Sequence, residues 1–340
     1  MKSTTRLQVI LAVLLFAAVT PAWSQTTSEV KTTLPPLEQV LQYLPGYHPH
    51  ANQNAGQTGG AKQEVAHPAS AKVYAFATAD YPGAASSVAF DNNNTTIVGF
   101  LQFDPTGTAT TPPSPETAFI VKSGVYELLD IPGATSSGAT AATGINTSGQ
   151  IVGFYTDSSM VAHGFLDTAG TFTDVDYPGA NGTDVFDIND SGEMVGGFTD
   201  PAGILHGFLD NGGTFTQIDY PGASTTIAAG INSSGEIVGI WDDSMNNTYG
   251  WTLKGGVFTS LIFPLGHNTE PIGVNTQGEI SGYYQDAAGV LHGFIYSNGA
   301  FSEVDVAGSS GTELTRIKNY GAITGAFIDA LMETHGVKGH

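Results

Sequence analysis

Residues 206–241 read HGFLDNGGTFTQIDYPGASTTIAAGINSSGEIVGIW, and this stretch decides the fold. Short runs rich in Thr, Ile, Val, Phe and Tyr alternate with turn chemistry, the pattern of strands rather than helices. The expected strands of this copy are Thr214 to Asp219, Thr225 to Ile231, Glu236 to Trp241 and, just beyond, Gly250 to Leu253. In Asn232-Ser-Ser-Gly235 the Asn side chain can accept a backbone N–H two residues on. Gly235 can take positive φ, so the segment closes a tight hairpin. Tyr220-Pro221-Gly222 is expected to turn the preceding strand sharply outward, because Pro removes a ladder donor and Gly relaxes the next position.

The stretch repeats at a period of 43 residues. Pro-Gly-Ala turns begin at Ile131, Tyr177 and Tyr220, with Phe263-Pro264-Leu265-Gly266 in the same slot, an earlier copy at Tyr81 and a degenerate one at Val306-Ala307-Gly308. A second marker is Ile145-Asn146, Ile188-Asn189, Ile231-Asn232 and Val274-Asn275, each with Gly three residues after the Asn. The last copy reads Ile317-Lys318. A third is a Val/Ile-Gly step ending at Gly99, Gly153, Gly196 and Gly239, with Ser281-Gly282 and Gly325 in the same slot. The fourth is His163-Gly-Phe, His206-Gly-Phe, Tyr249-Gly-Trp, His292-Gly-Phe and His335-Gly-Val. Four markers advancing in register make an internal repeat.

Four strands in about 43 residues is the size of one propeller blade, a sheet too small to bury its faces alone. The sequence therefore predicts an all-β fold, a β-propeller of six four-stranded blades over residues 73–340. The strand Val73 to Asp80 and the closing His335-Gly-Val segment are expected to complete one blade between them and seal the ring. The stretch Asp104 to Glu116 enlarges one unit as a loop. No segment after Tyr74 has a sustained helical period.

Residues 1–24 carry the marks of a signal peptide. Met1, Lys2 and Arg6 precede an apolar run from Leu7 to Val19, too short for an ordinary transmembrane span, and Ala22-Trp23-Ser24 resembles a cleavage site. Residues 25–72, rich in Pro, Gln, Gly, Ala, Thr and Asn, read as a flexible linker, with a short apolar pattern at Leu37, Val40, Leu41 and Leu44 and solvated His48, His50 and His67. The expected product is a secreted or periplasmic protein, monomeric, with no transmembrane segment after signal removal.

Composition narrows the function. Ten Lys and Arg against 31 Asp and Glu give a formal charge of −21, the wrong sign for a nucleic-acid or anionic-membrane surface. The absence of cysteine removes disulfides, thiol nucleophiles and thiolate metal sites. No Gly-x-Ser-x-Gly elbow or nucleotide fingerprint is present, and Asp187-Ile-Asn189-Asp190-Ser-Gly192-Glu193 matches a calcium loop only superficially. No catalytic residue, metal site or cofactor is assigned. Asp157, Asp200, Asp243, Asp286 and Asp329, with His163, His206 and His292, recur blade after blade, as do Asn146, Asn189, Asn232 and Asn275. Such recurrence points to bonds that hold hairpins together, the rival role being a polar ring that takes calcium or a cationic ligand. Trp241, Tyr249 and Trp251 make one blade atypical and are the candidate ligand-binding aromatics, core substitution being the plainer account.

The succession His-Gly-Phe-Leu, Gly-Thr-Phe-Thr, Asp-Tyr-Pro-Gly-Ala, Gly-Ile-Asn-x-Ser-Gly-Glu-Ile-Val-Gly resembles the bacterial extracellular HAF repeats, with Gly164, Gly207 and Gly293 where that signature has Ala. The resemblance covers nearly all of residues 73–340 and implies export and a propeller-like architecture. It carries no reaction and no functional residue. Two function classes follow: a noncatalytic module that binds an extracellular protein, polysaccharide or cell-envelope component, and a polysaccharide lyase or glycoside hydrolase using acidic residues in the central depression.

Overall fold

The computed structural model describes residues 74–103, 116–136, 138–264 and 266–340. The leader, the linker with its three histidines and short apolar pattern, and nearly all of the loop from Asp104 lie outside the described residues. Within them are 24 strands, no α-helix, and therefore no helix long and apolar enough to cross a membrane.

The strands form six antiparallel sheets of four. After β1 (Phe76–Thr78), the first blade is β2 (Ser86–Asn92), β3 (Thr96–Gln102), β4 (Thr117–Lys122) and β5 (Val125–Leu128). The second is β6 (Thr140–Ile145), β7 (Ile151–Thr156), β8 (Ala162–Thr168) and β9 (Thr171–Val175). The third holds β10 (Gly182–Ile188), β11 (Glu193–Thr199), β12 (Leu205–Asn211) and β13 (Thr214–Ile218). The fourth holds β14 (Thr225–Ile231), β15 (Ile237–Asp242), β16 (Thr248–Lys254) and β17 (Val257–Leu261). The fifth is β18 (His267–Val274), β19 (Ile280–Gln285), β20 (Leu291–Ser297) and β21 (Ala300–Glu303), and the sixth is β22 (Gly311–Ile317), β23 (Ile323–Ile328) and β24 (Thr334–Gly339), completed by β1.

The four strands expected as one copy, Thr214 to Leu253, straddle two blades: the first is the outer strand of the third blade, and the fourth blade is completed by β17. The Pro-Gly-Ala turn does not redirect a strand within one sheet; it carries the chain from the outer strand of one blade to the inner strand of the next, as Tyr220-Pro221-Gly222 does between β13 and β14. Closure uses both ends of the ring: β1 pairs with β24, Phe76 opposite Gly339, and Ala79 N donates to Gly336 O at 2.7 Å. His335 Nδ1 lies 2.9 Å from Asp80 Oδ2, whose Oδ1 accepts from Gly336 N. Backbone pairing and a side-chain clamp thus fasten the same seam.

The markers have steric causes. At the Val/Ile-Gly step a Cβ on Gly153 or Gly196 would overlap the inner-strand carbonyl of Ala141 or Asp184 and press on Phe165 or Phe208. Those rings, with Trp251 and Phe294 in the same slot, are wholly buried and form the packing between blades. At Gly164 a Cβ would lie 2.5 Å from Val175 O and 2.6 Å from Val185 Cγ2 of the next blade. An Ala does not fit at that close approach, so glycine at this slot is a packing requirement of the ring.

Candidate functional site

Every inner strand carries an irregularity in its register just before the Ile-Asn turn. Phe90, Thr143, Phe186, Ala229, Ile272 and Thr315 are the extra residues. A bulge leaves its residue outside the ladder, with an orphan carbonyl. Here the orphans face a common axis, and Arg316 fills it. The guanidinium donates to Phe186 O at 2.6 Å, Ile272 O at 2.7 Å, Ala229 O at 3.1 Å, Thr315 O at 3.2 Å and Thr143 O at 3.4 Å. One side chain thereby ties five blades together. The sixth carbonyl, Phe90 O, accepts from Thr324 Oγ1 at 3.0 Å.

The residue after each bulge sets what the axis can hold: Asp91, Gly144, Asp187, Gly230, Gly273 and Arg316 share this slot. Six side chains cannot meet at one point, and three glycines make the room. A Cβ on Gly144 would lie 3.0 Å from Asp187 Cα, and one on Gly273 2.8 Å from Arg316 Cα. Asp187 accepts from Ile188 N and Ile231 N, both at 2.9 Å, and its Oδ2 lies 3.5 Å from Arg316 Nε. Burial raises its carboxyl above the usual carboxylate value, and the charges of Arg316 and Lys318 offset part of that rise. Asp91 likewise accepts from Asn92 N and Ile145 N, and pairs with Lys318 Nζ at 2.6 Å. Two cations thus face two buried carboxylates around the axis, which keeps charged groups there paired.

Above this layer the Ile-Asn turns form a belt. Asn93, Asn146, Asn189 and Asn232 each donate Nδ2 to the carbonyl of the corresponding Asn in the next blade, at 3.1, 3.3, 3.1 and 2.8 Å. The Oδ1 of Asn189 accepts from Ser191 N and Glu193 N, and its Nδ2 also reaches Glu193 Oε2. That uses the whole capacity of a side-chain amide, so the belt is committed to holding blades in sequence. Asn275 makes the same turn contacts with Gln277 N and Glu279. Lys318 occupies the sixth position.

The belt surrounds a cavity of about 150 Å³ at one mouth of the axis, floored by Asp187, Arg316 and Lys318. Its walls are not symmetric. Where four blades place Ile and one Val before the Asn, the first blade has Asn92, fully buried, with its Nδ2 lacking any partner. Where other copies have Ser, Thr or Gln two residues after the Asn slot, the sixth has Tyr320, which is 47% exposed and donates its hydroxyl to Asn92 Oδ1 at 2.5 Å. Burial and the charge of Asp91 push that hydroxyl up to about 12, so it remains a donor. Asp190 Oδ1 accepts from Thr147 N and Oγ1, while Oδ2 takes only a 3.4 Å bond from Ser233. Burial alone would raise the Asp190 carboxyl, but the Thr147 and Ser233 bonds and the Lys318 charge bring it below its ordinary value.

The recurring Asp and His residues lie elsewhere, at the β-turns joining the second and third strands. His163 Nδ1 lies 2.8 Å from Asp176 Oδ2 and its Nε2 3.7 Å from Asp157 Oδ2. His206 spans Asp219 and Asp200 at 2.8 and 3.6 Å, and His292 spans Asp305 and Asp286 at 2.7 and 3.7 Å. His335 joins Asp80 and Asp329 in the same way. Asp157 Oδ1 accepts from Ser159 N and Val161 N; the Val161 bond above all holds its carboxyl low. Burial would lower His163, His292 and His335, yet hydrogen bonds and charges from their acidic partners raise all three on balance. Two of these groups, His292–Glu303–Asp305 and Asp329–Glu333–His335, bring three metal-ligating side chains within 4.8 Å.

The fourth blade varies this scheme in concert. Tyr249 stands in the His slot, and Ile262 stands where the partner acid would be, so the pair is replaced as a unit. Tyr249 instead donates to Asp243 Oδ2 at 3.4 Å, and Asp243 also accepts from Met245 N and Asn247 N. Trp241 stacks on Tyr220 at 4.6 Å and lies tilted against Tyr249 at 4.8 Å, the counterpart of Tyr177–Phe198–His206 in the preceding blade. Trp251 is wholly buried, its Nε1 donating to Ile240 O at 3.0 Å, and offers no face to solvent. None of the three lines the axial cavity.

The residues that make the axial site asymmetric, Asn92, Asp190, Arg316, Lys318 and Tyr320, are absent from the sequence-based candidates. A signal existed: two of the ten Lys and Arg sit two positions apart in slots otherwise held by Gly, Asp or Asn.

What fold and site define is a six-bladed β-propeller closed by pairing of its first and last strands and plugged at the axis by an arginine. No family model matches the chain, nor does any curated protein. Among solved structures it is similar to the fucose-specific lectin from Aleuria aurantia (10% identity, 75% of this chain and 93% of that chain, TM-score 0.47). It is also similar to TolB from Acinetobacter baumannii (12% identity, 74% and 65%, TM-score 0.49). The β-propeller domain of the Trilobed protease from Pyrococcus furiosus matches at 9% identity over 72% and 79%, with TM-score 0.44. Likeness of this degree says nothing of ligand or reaction; the fold rests on the strand pairings themselves.

Proposed function

We propose that the protein is an exported, noncatalytic binding propeller that engages an extracellular protein, polysaccharide or cell-envelope component, and that it belongs with the HAF-type repeats. The observation that supports this reading is the axial cavity: an otherwise repetitive ring concentrates its unrepeated polar residues at one mouth. The enzyme alternative calls for two carboxylates free to act on a substrate, whereas Asp91 and Asp187 are each bound to two backbone amides and face a cation, which leaves Asp190 alone at this mouth. The reading is tested by screening the purified protein against glycans and envelope fractions, with and without calcium. Binding to at least one component without turnover supports it; binding to none refutes it.

A further inference from the structure

The axial cavity combines three features. Its two cations are answered within the fold, Arg316 by Asp187 and Lys318 by Asp91, which leaves Asp190 as the charged group facing an entering ligand. It mixes acceptors with donors: Asp190 Oδ2 and the Ser233 hydroxyl lie on one side, and the Asn92 amide on the other. One aromatic ring, Tyr320, stands half-exposed at the cavity beside those groups. Asn92 supplies the independent pointer to a ligand. A side-chain amide buried in a slot where five other blades carry Ile or Val, with its Nδ2 unpaired, leaves a desolvated donor unsatisfied. A native structure retains such a donor where something completes it.

We propose that this cavity binds a neutral polyhydroxylated ring, a hexose unit free or at the end of a glycan. The sugar hydroxyls donate to Asp190 Oδ2 and accept from the Asn92 amide, while one face of the ring covers Tyr320. Hydroxyl groups are both donors and acceptors, which matches a mixed wall better than a carboxylate or an ammonium does. The cavity volume is that of ~5 liquid waters, the scale of a single pyranose partly inserted. The sixth and first blades meet here, so the site exists only in the closed ring. This inference rests on the binding reading above and narrows it to one site and one chemistry.

The test uses the full chain and saturation-transfer NMR with glucose, galactose, mannose and N-acetylglucosamine, against glucuronate and glucosamine as charged controls. At least one neutral sugar is expected to bind, with glucuronate, which meets the Asp190 carboxylate, at least tenfold weaker. Tyr320→Ala is expected to weaken that binding about tenfold, through lost ring contact. Asp190→Asn, which keeps size and removes acceptor charge, weakens it as well. Thermal melts of both variants within 2–3 °C of the parent separate site loss from unfolding. No signal from any neutral sugar, a preference for a charged one, or undiminished binding in Tyr320→Ala overturns the proposal. If envelope components bind and Tyr320→Ala leaves that binding intact, the sugar site falls while the binding propeller stands; if nothing binds, both fall.

Discussion

Replacing Arg316 by Met keeps a straight, unbranched side chain on the axis and removes every donor. Five carbonyls lose a partner 2.6–3.4 Å away, and Asp187 is left buried without its cation. Hydrogen bonds to charged groups are worth about 1.5–3 kcal/mol each, but five of them on one side chain are not additive. Removing one member of a buried ion pair costs about 3–5 kcal/mol, and that is the better guide to the whole loss. About 4 kcal/mol is a large share of the roughly 5–15 kcal/mol by which domains are stable. For a ring of this size it corresponds to a fall in Tm of about 7 °C. Urea unfolding followed by tryptophan fluorescence and far-UV circular dichroism measures it. The Arg316→Met/Asp187→Asn double variant should recover about 1–2 kcal/mol, because the stranded charge is gone. A single variant within about 0.5 kcal/mol of the parent, or a cycle with no coupling, would refute the idea that this guanidinium holds the axis.

Three more perturbations follow from described contacts. Burial pushes Asp184 up to about 8, Glu270 up to about 7 and Glu313 well above the ordinary value, so the folded ring holds protons that the unfolded chain has released. Stability should be highest below about pH 4 for these groups and fall as pH rises toward 8, by up to a few kcal/mol; urea midpoints at pH 5 and 8.5 check the sign. His335, raised by Asp80 and Asp329, works at the seam. Its contribution is full below about pH 6.5 and lost as pH rises through the folded value, and partial exposure limits it to under about 1 kcal/mol. Hydrogen exchange at β1 should therefore quicken in His335→Ala at pH 6 more than at pH 9. Gly164→Ala forces a methyl against Val175 O and Val185 and should cost about 1–3 kcal/mol, read as a lower melting temperature with unchanged far-UV spectrum at 20 °C.

The blade architecture was legible because a ring writes the same solution six times. Thr225–Ile231 is a strand to the residue, Gly235 has φ 76° in its turn, and Asn232 Oδ1 accepts Ser234 N as its position implied. The seam was legible too, since a lone strand at one end and a missing one at the other complement each other. The axis was not. Asp187 reads as one odd member of a glycine slot, and nothing linear says that six copies of that slot converge on one point. Repetition reveals what each blade needs for itself; it hides the single place where all blades must differ. Asn92 and Tyr320, 228 residues apart yet hydrogen-bonded, belong to that place. The register likewise recorded Tyr249 and Ile262 as two separate exceptions, although one substitution makes room for the other.

The reach of Arg316 also limits how the gene can change. Repeat arrays grow and shrink by duplication and deletion of whole units, and nothing in the blade-to-blade packing forbids a seventh copy. An extra blade would widen the axis and carry its carbonyls away from a guanidinium that now spans five of them. Loss of a blade would crowd the same group against the opposite strands. A single side chain thus counts the blades, and holds an expandable sequence to one number.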